Sequence, residues 1–385
     1  MRKGVAVTMA ESMEREACRG KMEAAGQFQL EGNPVSCEPY GSGHINDTFL
    51  LAVRDGAGAE TRYILQRMNR SIFREPEQLM ENIVRVTAYL REVISRNGGN
   101  PQRETLNVVP ARDGKPFYVD SYGEYWRVYV FIEDAASYDA VEKPDDFYQS
   151  AVAFGNFQRL LADFPAETLH ETIAGFHDTR ARFEVFRQAV TEDVCGRAGG
   201  VQEEIEFVLS RESTAYVLGD LQAAGELPLR VTHNDTKLNN VMLDNRTGRG
   251  ICVIDLDTVM PGLAVNDFGD SIRFGANTAA EDEPDLSKVS LSLRLFECYA
   301  RGFLEGCGGR LTRREMELLP MGAKVMTFEC GMRFLTDYLQ GNTYFKVHRP
   351  GHNLDRCRTQ FELVRDMERK WDRMQEIIRD AQGTD

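Results

Sequence analysis

Apolar positions between Phe28 and Ile132 come in short runs separated by turn residues, which is a strand pattern. Phe49–Val53 and Thr61–Met68 are two such runs, and Asp55-Gly56-Ala57-Gly58 between them is turn chemistry. Pro76 then opens a helix in which Leu79, Ile83, Val86, Leu90 and Val93 share one face. The sequence Asn97-Gly98-Gly99-Asn100-Pro101 stops it. Two further runs, Leu106–Ala111 and Pro116–Asp120, flank Asp113-Gly114 and predict a hairpin. Glu124–Ile132 predicts a longer strand. Strands grouped with one main helix predict a small α+β unit.

Beyond Glu133-Asp134 the period changes from two to three or four. Helices are expected over Asp145–Leu161, Arg182–Val190, Gln202–Leu218, Ser287–Leu304, Arg313–Leu335 and Asp355–Ala381. In the last, Phe361, Val364, Met367, Trp371, Met374 and Ile378 lie on one stripe. One β insertion interrupts these helices: strands at Leu229–Thr232, Val241–Leu243 and Ile251–Ile254, the last two joined by a turn at Asp244–Gly250. The expected organisation is an N-terminal arm (1–27), a sheet-rich domain (28–133) and a mainly helical domain (134–385), with Glu133–Tyr138 as the hinge.

A chain of 385 residues is long enough for two domains. Its 42% hydrophobic and 28% charged residues are those of a globular protein. The net charge of −14 repels phosphodiester backbones and anionic lipid, so neither nucleic acid nor membrane is expected as a partner. No apolar run approaches the roughly 20 residues that span a bilayer. The apolar patch Gly4–Ala10 is short and broken by Thr8, unlike a signal peptide. The eight cysteines form no CxxC and no zinc spacing. They read as reduced thiols, and a cytoplasmic location is expected.

The β insertion carries the chemistry. Its loop reads HNDTKLNN (233–240), and Asp255-Leu256-Asp257 follows its last strand. Hairpin pairing places Asn240, just before one strand, beside Asp255, just after the other. Asp235 lies in the same loop. One amide oxygen and two carboxylates suit Mg²⁺, which takes remaining ligands from water and phosphate. A carboxylate beside the metal can orient an attacking hydroxyl and accept its proton. Asp235 is therefore the expected base and Lys237 the cation for the transferring phosphoryl group. Asn240 and Asp255 are the expected metal ligands, and Asp257 is either a further metal or water ligand or a loop cap. His233 is expected to buttress the loop.

The pattern H-x-D-x-x-x-x-N, strand, turn, strand, D resembles the catalytic and metal loops of the protein-kinase-like superfamily. HNDTKLNN followed by VIDLDTVMPGLAVNDFGD resembles its aminoglycoside phosphotransferase and choline kinase branch. Several stretches resemble bacterial N-acetylhexosamine 1-kinases within it: YGSGHINDTF (40–49), YILQRMN (63–69), GFHDTRARF (175–183), DFGDSIRFGANTAAED (267–282) and YFKVHRPGHNLDRCRTQ (344–360). The likeness runs from about residue 35 to the C-terminus. It implies an α+β, two-lobed protein-kinase-like fold using ATP and Mg²⁺. Gly41, Ser42, Gly43, His44 and Asn46 would then cover the phosphates. The third-strand lysine of kinases is replaced: Gln66 aligns with it and Arg67 follows, with Glu81 as a candidate partner for Arg67. Phe131 and Glu133 would meet the nucleotide. His177, Asp178, Arg182, Phe274, Arg333, Tyr344 and Arg349 would meet the acceptor, since arginine, carboxylate and aromatic groups suit a sugar. Asp267 is expected to hydrogen-bond the catalytic loop.

Three functions remain open on the sequence. One is a kinase for the anomeric hydroxyl of N-acetylglucosamine or N-acetylgalactosamine. Another is a kinase for a different alcohol (choline, homoserine, methylthioribose or an aminoglycoside), with Glu281-Asp282-Glu283 as an acidic pocket for a cationic acceptor. A third is an inactive binding protein, suggested by the missing lysine. Nothing in the sequence demands an oligomer, and a monomer suffices.

Overall fold

A computed structural model describes residues 20–41, 43 and 45–383. Ser42 and His44 of the proposed phosphate loop, and most of the N-terminal arm, lie outside the described residues. The chain divides into two compact units, residues 1–134 and 135–385.

The first unit is built on an antiparallel sheet in the order β1 (Asn33–Pro39), β2 (Asp47–Arg54), β3 (Glu60–Arg67), β6 (Tyr125–Val130) and β4 (Val108–Val109). A further strand, β5 (Tyr118–Val119), also pairs with β6. The expected hairpin around Asp113-Gly114 is therefore not a ladder: β4 and β5 both use β6 as partner, and only a tight turn links them. β1 escapes the hydrophobic pattern because it is an edge strand in which only Cys37 is buried. Leu51, Val53, Leu65, Trp126 and Val128 form the core with Ala24, Ala25 and Phe28. Residues 20–25 are helical, so this part of the arm is packed into the unit. Helix α1 (Pro76–Arg96) begins on Pro76, whose missing N–H costs nothing at that position. It buries Leu79, Met80, Ile83, Val86, Leu90 and Ile94, the stripe ending on Ile94 rather than Val93.

The second unit is mainly helical. Ala135–Ala136 forms strand β7 on the edge of β9 (Val241–Asp244), so the segment expected as a hinge is in part a strand. β9 pairs with β10 (Gly250–Val253), and β8 (Arg230–Thr232) with β11 (Met260–Gly262). Helix α2 (Pro144–Leu160) packs on α7 (Leu293–Cys307) at a distance only glycine allows. A Cβ on Gly155 would come within 2.3 Å of the Phe303 carbonyl oxygen, and one on Gly306 within 2.3 Å of that of Val152. Helix α3 (Thr179–Glu192) precedes two helices that were expected as one, α4 (Gln202–Leu209) and α5 (Glu212–Ala223). Ser210 ends α4 by bonding back to the Glu206 and Phe207 carbonyls. α7 starts later than its sequence pattern, at the cap Ser292, whose hydroxyl accepts the Leu295 N–H. Pro320 has no N–H for the Met316 carbonyl, so the next helix splits into α8 (Arg313–Glu317) and α9 (Leu319–Leu339). The C-terminal stripe splits at Lys370 into α10 (His352–Arg369) and α11 (Trp371–Gln382). There the Lys370 ammonium turns inward to Ser290 Oγ, the Leu291 carbonyl and Asp366.

Helix α6 (Ala264–Gly275) was not anticipated. Val265, Phe268 and Ile272 share one face, but the opposite face, with Asn266, Asp267, Asp270 and Arg273, is buried as well. It crosses α9 at closest approach. A Cβ on Gly269 would lie 2.3 Å from the Gly322 carbonyl oxygen, and one on Gly322 would lie 2.1 Å from that of Val265. Substituting Gly269→Ala should therefore push α6 outward and cost about 1–3 kcal/mol, as overpacking does. Gly219→Ala, in α5 with open space around its Cβ, should instead gain up to about 1 kcal/mol. Urea denaturation of the two variants checks both signs.

Candidate active site

Residues 233–240 leave β8 as a loop and enter β9 through a short 3-10 turn. Their backbone is fixed by one buried carboxylate. Asp267 of α6 accepts the N–H groups of His233 (2.9 Å) and Asn234 (2.8 Å), and the Gln158 amide (2.9 Å). Burial pushes the Asp267 carboxyl upward in pKa, and these N–H bonds oppose the shift. The His233 ring lies between the edges of Phe154 and Phe157. Its Nδ1 accepts the Asp235 N–H, so Nε2 carries the proton and donates to the Ile254 carbonyl at 2.8 Å. The ring is thus a neutral strut between the two ends of the site. Asn234 takes a left-handed conformation (φ +65°), held by side-chain bonds to Thr232 and Thr258.

The groups expected to do chemistry meet at this loop. Lys237 Nζ lies 2.7 Å from Asp235 Oδ1. Asn240 Nδ2 donates to the Asp235 carbonyl (2.8 Å) and to Asp235 Oδ2 (3.2 Å). With its amide hydrogens turned to Asp235, Asn240 presents Oδ1 to a cation. The Ile254 N–H bonds the Asn240 carbonyl and Val253 pairs with Val241, which brings Asp255 to the Asn240 end of the hairpin. Asp255 is exposed and left-handed (φ +57°), and Asp257 is buried two residues on. This is a hard-oxygen set, the kind that holds Mg²⁺ alongside phosphate oxygens. Among the described residues no three His, Cys, Asp or Glu side chains form a complete metal cage, so such a cation would draw its remaining ligands from elsewhere.

The expected acceptor residues separate into groups. His177 Nδ1 lies 3.0 Å from Glu329, and Nε2 lies 3.2 Å from the Asn234 carbonyl. Burial would lower the His177 pKa, but the Glu329 charge and hydrogen bond overcome this and raise it. Burial likewise works against the Glu329 carboxylate, and His177 with Thr179 holds its pKa low. Arg333 sits over Phe176, Tyr344 and Phe345 and reaches the Tyr344 hydroxyl at 3.4 Å. The Arg182 pKa is lowered by burial and by the like charge of Arg333. Among the described residues, none is a hydrogen-bond partner for the buried Arg182 Nε. Asp178 caps α3 through the Ala181 N–H. A cavity of about 530 Å³ opens beside His177, Asn234 and Phe176. Phe274 is 36% exposed on α6, and Arg349 is committed to Asp282 and Asp355.

In the sheet unit, Gly41 has φ +80° in the β1–β2 connection, and Asn46 Oδ1 accepts the Asn69 N–H. Gln66 Nε2 donates to Thr48, and Gln66 Oε1 accepts Arg127 Nε at 2.9 Å. Arg127 is 1% exposed and escaped the sequence reading. Its only signal was a charge inside the apolar run EYWRVYVFI. Arg67 pairs with Asp47 and lies over Trp126, while the Glu81 carboxylate faces Arg85. The suggested Arg67–Glu81 pair is thus corrected. Arg67 sits across from Asp47 in the β2–β3 register, and that strand neighbour satisfies it. The Phe131 ring packs under Arg62, which also pairs with Glu133.

A sheet unit with one main helix, followed by a helical unit that carries an Asp–Lys–Asn loop and an Asp at a hairpin end, is the fold of kinase-like phosphotransferases. The chain belongs to the phosphotransferase enzyme family (APH), which matches residues 36–290. Solved structures share the fold at low identity. An aminoglycoside phosphotransferase from Alicyclobacillus acidocaldarius is 11% identical with a TM-score of 0.60, covering 93% of this chain and 96% of its own. The choline kinase of Cryptosporidium parvum is 13% identical with a TM-score of 0.54, covering 90% and 92%. An amicoumacin kinase complex is also 13% identical with a TM-score of 0.54, covering 94% and 96%. Among the described residues no helix is long and apolar enough to cross a membrane.

The His177–Glu329 pair predicts a pH signature. A raised histidine pKa stabilises fully below its unfolded value, about 6.5, and that contribution is lost as pH rises through the folded pKa. A depressed glutamate pKa stabilises above about 4.3 and is lost as pH falls through the folded value. Glu329→Gln should cost about 3–5 kcal/mol near pH 6, the price of breaking a buried pair, and should remove the alkaline decline. Thermal melts of both proteins from pH 5 to 9 check this.

Proposed function

We propose that this phosphotransferase is an ATP-dependent kinase for the anomeric hydroxyl of an N-acetylhexosamine, N-acetylglucosamine or N-acetylgalactosamine, yielding the sugar 1-phosphate. The observation that carries the reading is the Asp235 carboxylate held between Lys237 Nζ and Asn240 Nδ2. Asp235 would orient the hydroxyl and take its proton as the oxygen–phosphorus bond forms and ADP leaves. An anomeric hydroxyl is more acidic than an ordinary alcohol, which suits a carboxylate base. Lys237 would offset charge on the transferring group. Asn240, Asp255 and Asp257 would hold Mg²⁺, which when bound neutralises phosphate charge.

We assign the nucleotide to Gly41, Ser42, Gly43, His44, Asn46, Gln66, Arg67, Phe131 and Glu133. Arg127 is a buried cation beside Gln66, where kinases carry a lysine. The amicoumacin kinase was solved with AMP-PNP and Ca²⁺, which supports a nucleotide with a divalent cation here. We assign the acceptor to His177, Asp178, Arg182, Arg333 and Tyr344, with Phe274 and Arg349 as its outer contacts. The partners are then a free sugar and ATP, in the cytoplasm, with no need of a second copy.

A different alcohol is the second reading, since related structures are choline and aminoglycoside kinases. The acidic run argues against a cationic acceptor, because each of its carboxylates already faces a cation. Glu281 faces Arg273 and Arg356, Asp282 faces Arg349, and Glu283 faces Lys288. An ADP-release assay with ATP, Mg²⁺ and a panel of free sugars and amino alcohols decides. Turnover is expected with an N-acetylhexosamine, and Asp235→Asn should lower kcat by about 10²–10⁴-fold. Turnover with an amino alcohol alone would discard the sugar. ATP binding with no turnover on any acceptor would favour the inactive binding protein.

A further inference from the structure

Helix α6 carries a second buried carboxylate that the proposed reaction does not use. Asp270 is 5% exposed. Its Oδ2 accepts the Thr236 N–H at 3.0 Å, between the proposed base and Lys237 in sequence. Its Oδ1 accepts Arg273 Nε at 3.1 Å and Nη2 at 2.9 Å. Arg273 is itself buried and reaches Glu281 Oε1 at 2.9 Å through Nη1. Ser271, the next residue on α6, donates to the Thr236 carbonyl and accepts the buried Tyr299 hydroxyl. Both polar groups of the Thr236 backbone are therefore held from one turn of one helix.

Charge tells the same story. Taking a carboxylate and a guanidinium out of water is costly unless each is fully paired, so a buried Asp270–Arg273 pair gives weak stability for its cost. Arg273 satisfies one carboxylate oxygen. The other accepts the Thr236 N–H of the catalytic loop, and Asp270, with Asp235, holds the Lys237 pKa up against burial. Asp270 thus meets the catalytic loop at Thr236, the residue between Asp235 and Lys237.

We propose that Asp270 is a positioning residue for phosphoryl transfer. Backed by Arg273, it fixes the Thr236 backbone and with it the positions from which Asp235 and Lys237, on either side, reach the transferring group. Glu281, which holds the far side of Arg273, also lies 3.7 Å from Arg356 Nε. Arg356 in turn donates to the Lys346 carbonyl, in the segment that carries Tyr344 and Arg349. The series Thr236, Asp270, Arg273, Glu281, Arg356 links the catalytic loop to that segment. This inference rests on the assignment of Asp235 and Lys237 above.

The test is a double-mutant cycle on kcat, read as ADP release from ATP and Mg²⁺ with N-acetylglucosamine, or with water as acceptor if the sugar is not turned over. Asp270→Asn keeps the shape and removes the charge. It should lower kcat by about a hundredfold, the scale of a misplaced reacting group, and leave KM for ATP within about threefold. In a Lys237→Met background the same change should cost less than about threefold, because its target is gone. Asp270→Glu should recover part of the loss. Independent, multiplying effects, or a loss in Asp270→Asn seen only in KM or melting temperature, would overturn the inference. If Asp270→Asn does not fold, Arg273→Lys replaces it in the cycle, and the same coupling to Lys237 is required. Full activity in Asp235→Asn would instead reject the site assignment itself, so the two failures are distinguishable.

Discussion

Two backbone N–H groups, those of His233 and Asn234, end inside the protein on the carboxylate of Asp267. Buried amide hydrogens without a partner are costly, and these have no strand or helix to bond to, because the chain turns between them. Asp267 supplies the acceptor from a helix more than thirty residues downstream. The left-handed turn at Asn234, held further by Thr232 and Thr258, lies within that anchored stretch, one residue before Asp235. Asp267 is held in its turn by the close crossing of α6 on α9, where glycine faces carbonyl. The chemistry of the loop therefore depends on a helix–helix contact that bears no functional group.

The local chemistry was legible in the sequence because it is written in contiguous residues. The HNDTKLNN loop, its two strands and Asp255 declare a hairpin with polar groups at its open end, and the structure has that hairpin. Helix α1 was equally plain from one apolar stripe and a proline start. What was not legible lies where burial is total or the interaction is distant. Helix α6 has an apolar face in Val265, Phe268 and Ile272, but its polar face is buried too, against the 233–240 loop, and only the fold shows that. The splits at Ser210, Leu318 and Lys370 depend on single residues (Ser210 bonding back to helix carbonyls, Pro320 lacking an N–H, Lys370 turning inward), while the apolar pattern runs on across them. Arg127 meets Gln66 only because β6 lies beside β3, a pairing of residues 61 apart. Arg67 was given the wrong partner for the same reason: the register that brings it to Asp47 is a property of the sheet.

The helical unit separates its polar residues into two kinds. On the outside, pairs such as Arg313–Glu317 and Arg373–Glu376 are solvated and contribute little. Around the loop, Asp267, Asp270, Arg273, Glu329 and His177 are buried and share partners. Such groups make a poor case for stability and a good one for a single defined arrangement. A site that must hold a base, a cation and a hydroxyl within hydrogen-bond reach of one another gains from that definition more than from strength.

The glycine contacts between α6 and α9 also bear on how this chain can change over generations. A crossing in which Cα meets carbonyl tolerates neither a larger side chain nor a shift along the axis. An inserted or deleted residue within 264–275 would rotate every later position about the helix by about 100°. Asp267 and Asp270 could not both stay inward through such a shift. Length variation among descendants is thus barred from this helix and steered into the connection after it, residues 276–292, which ends at the Ser292 cap.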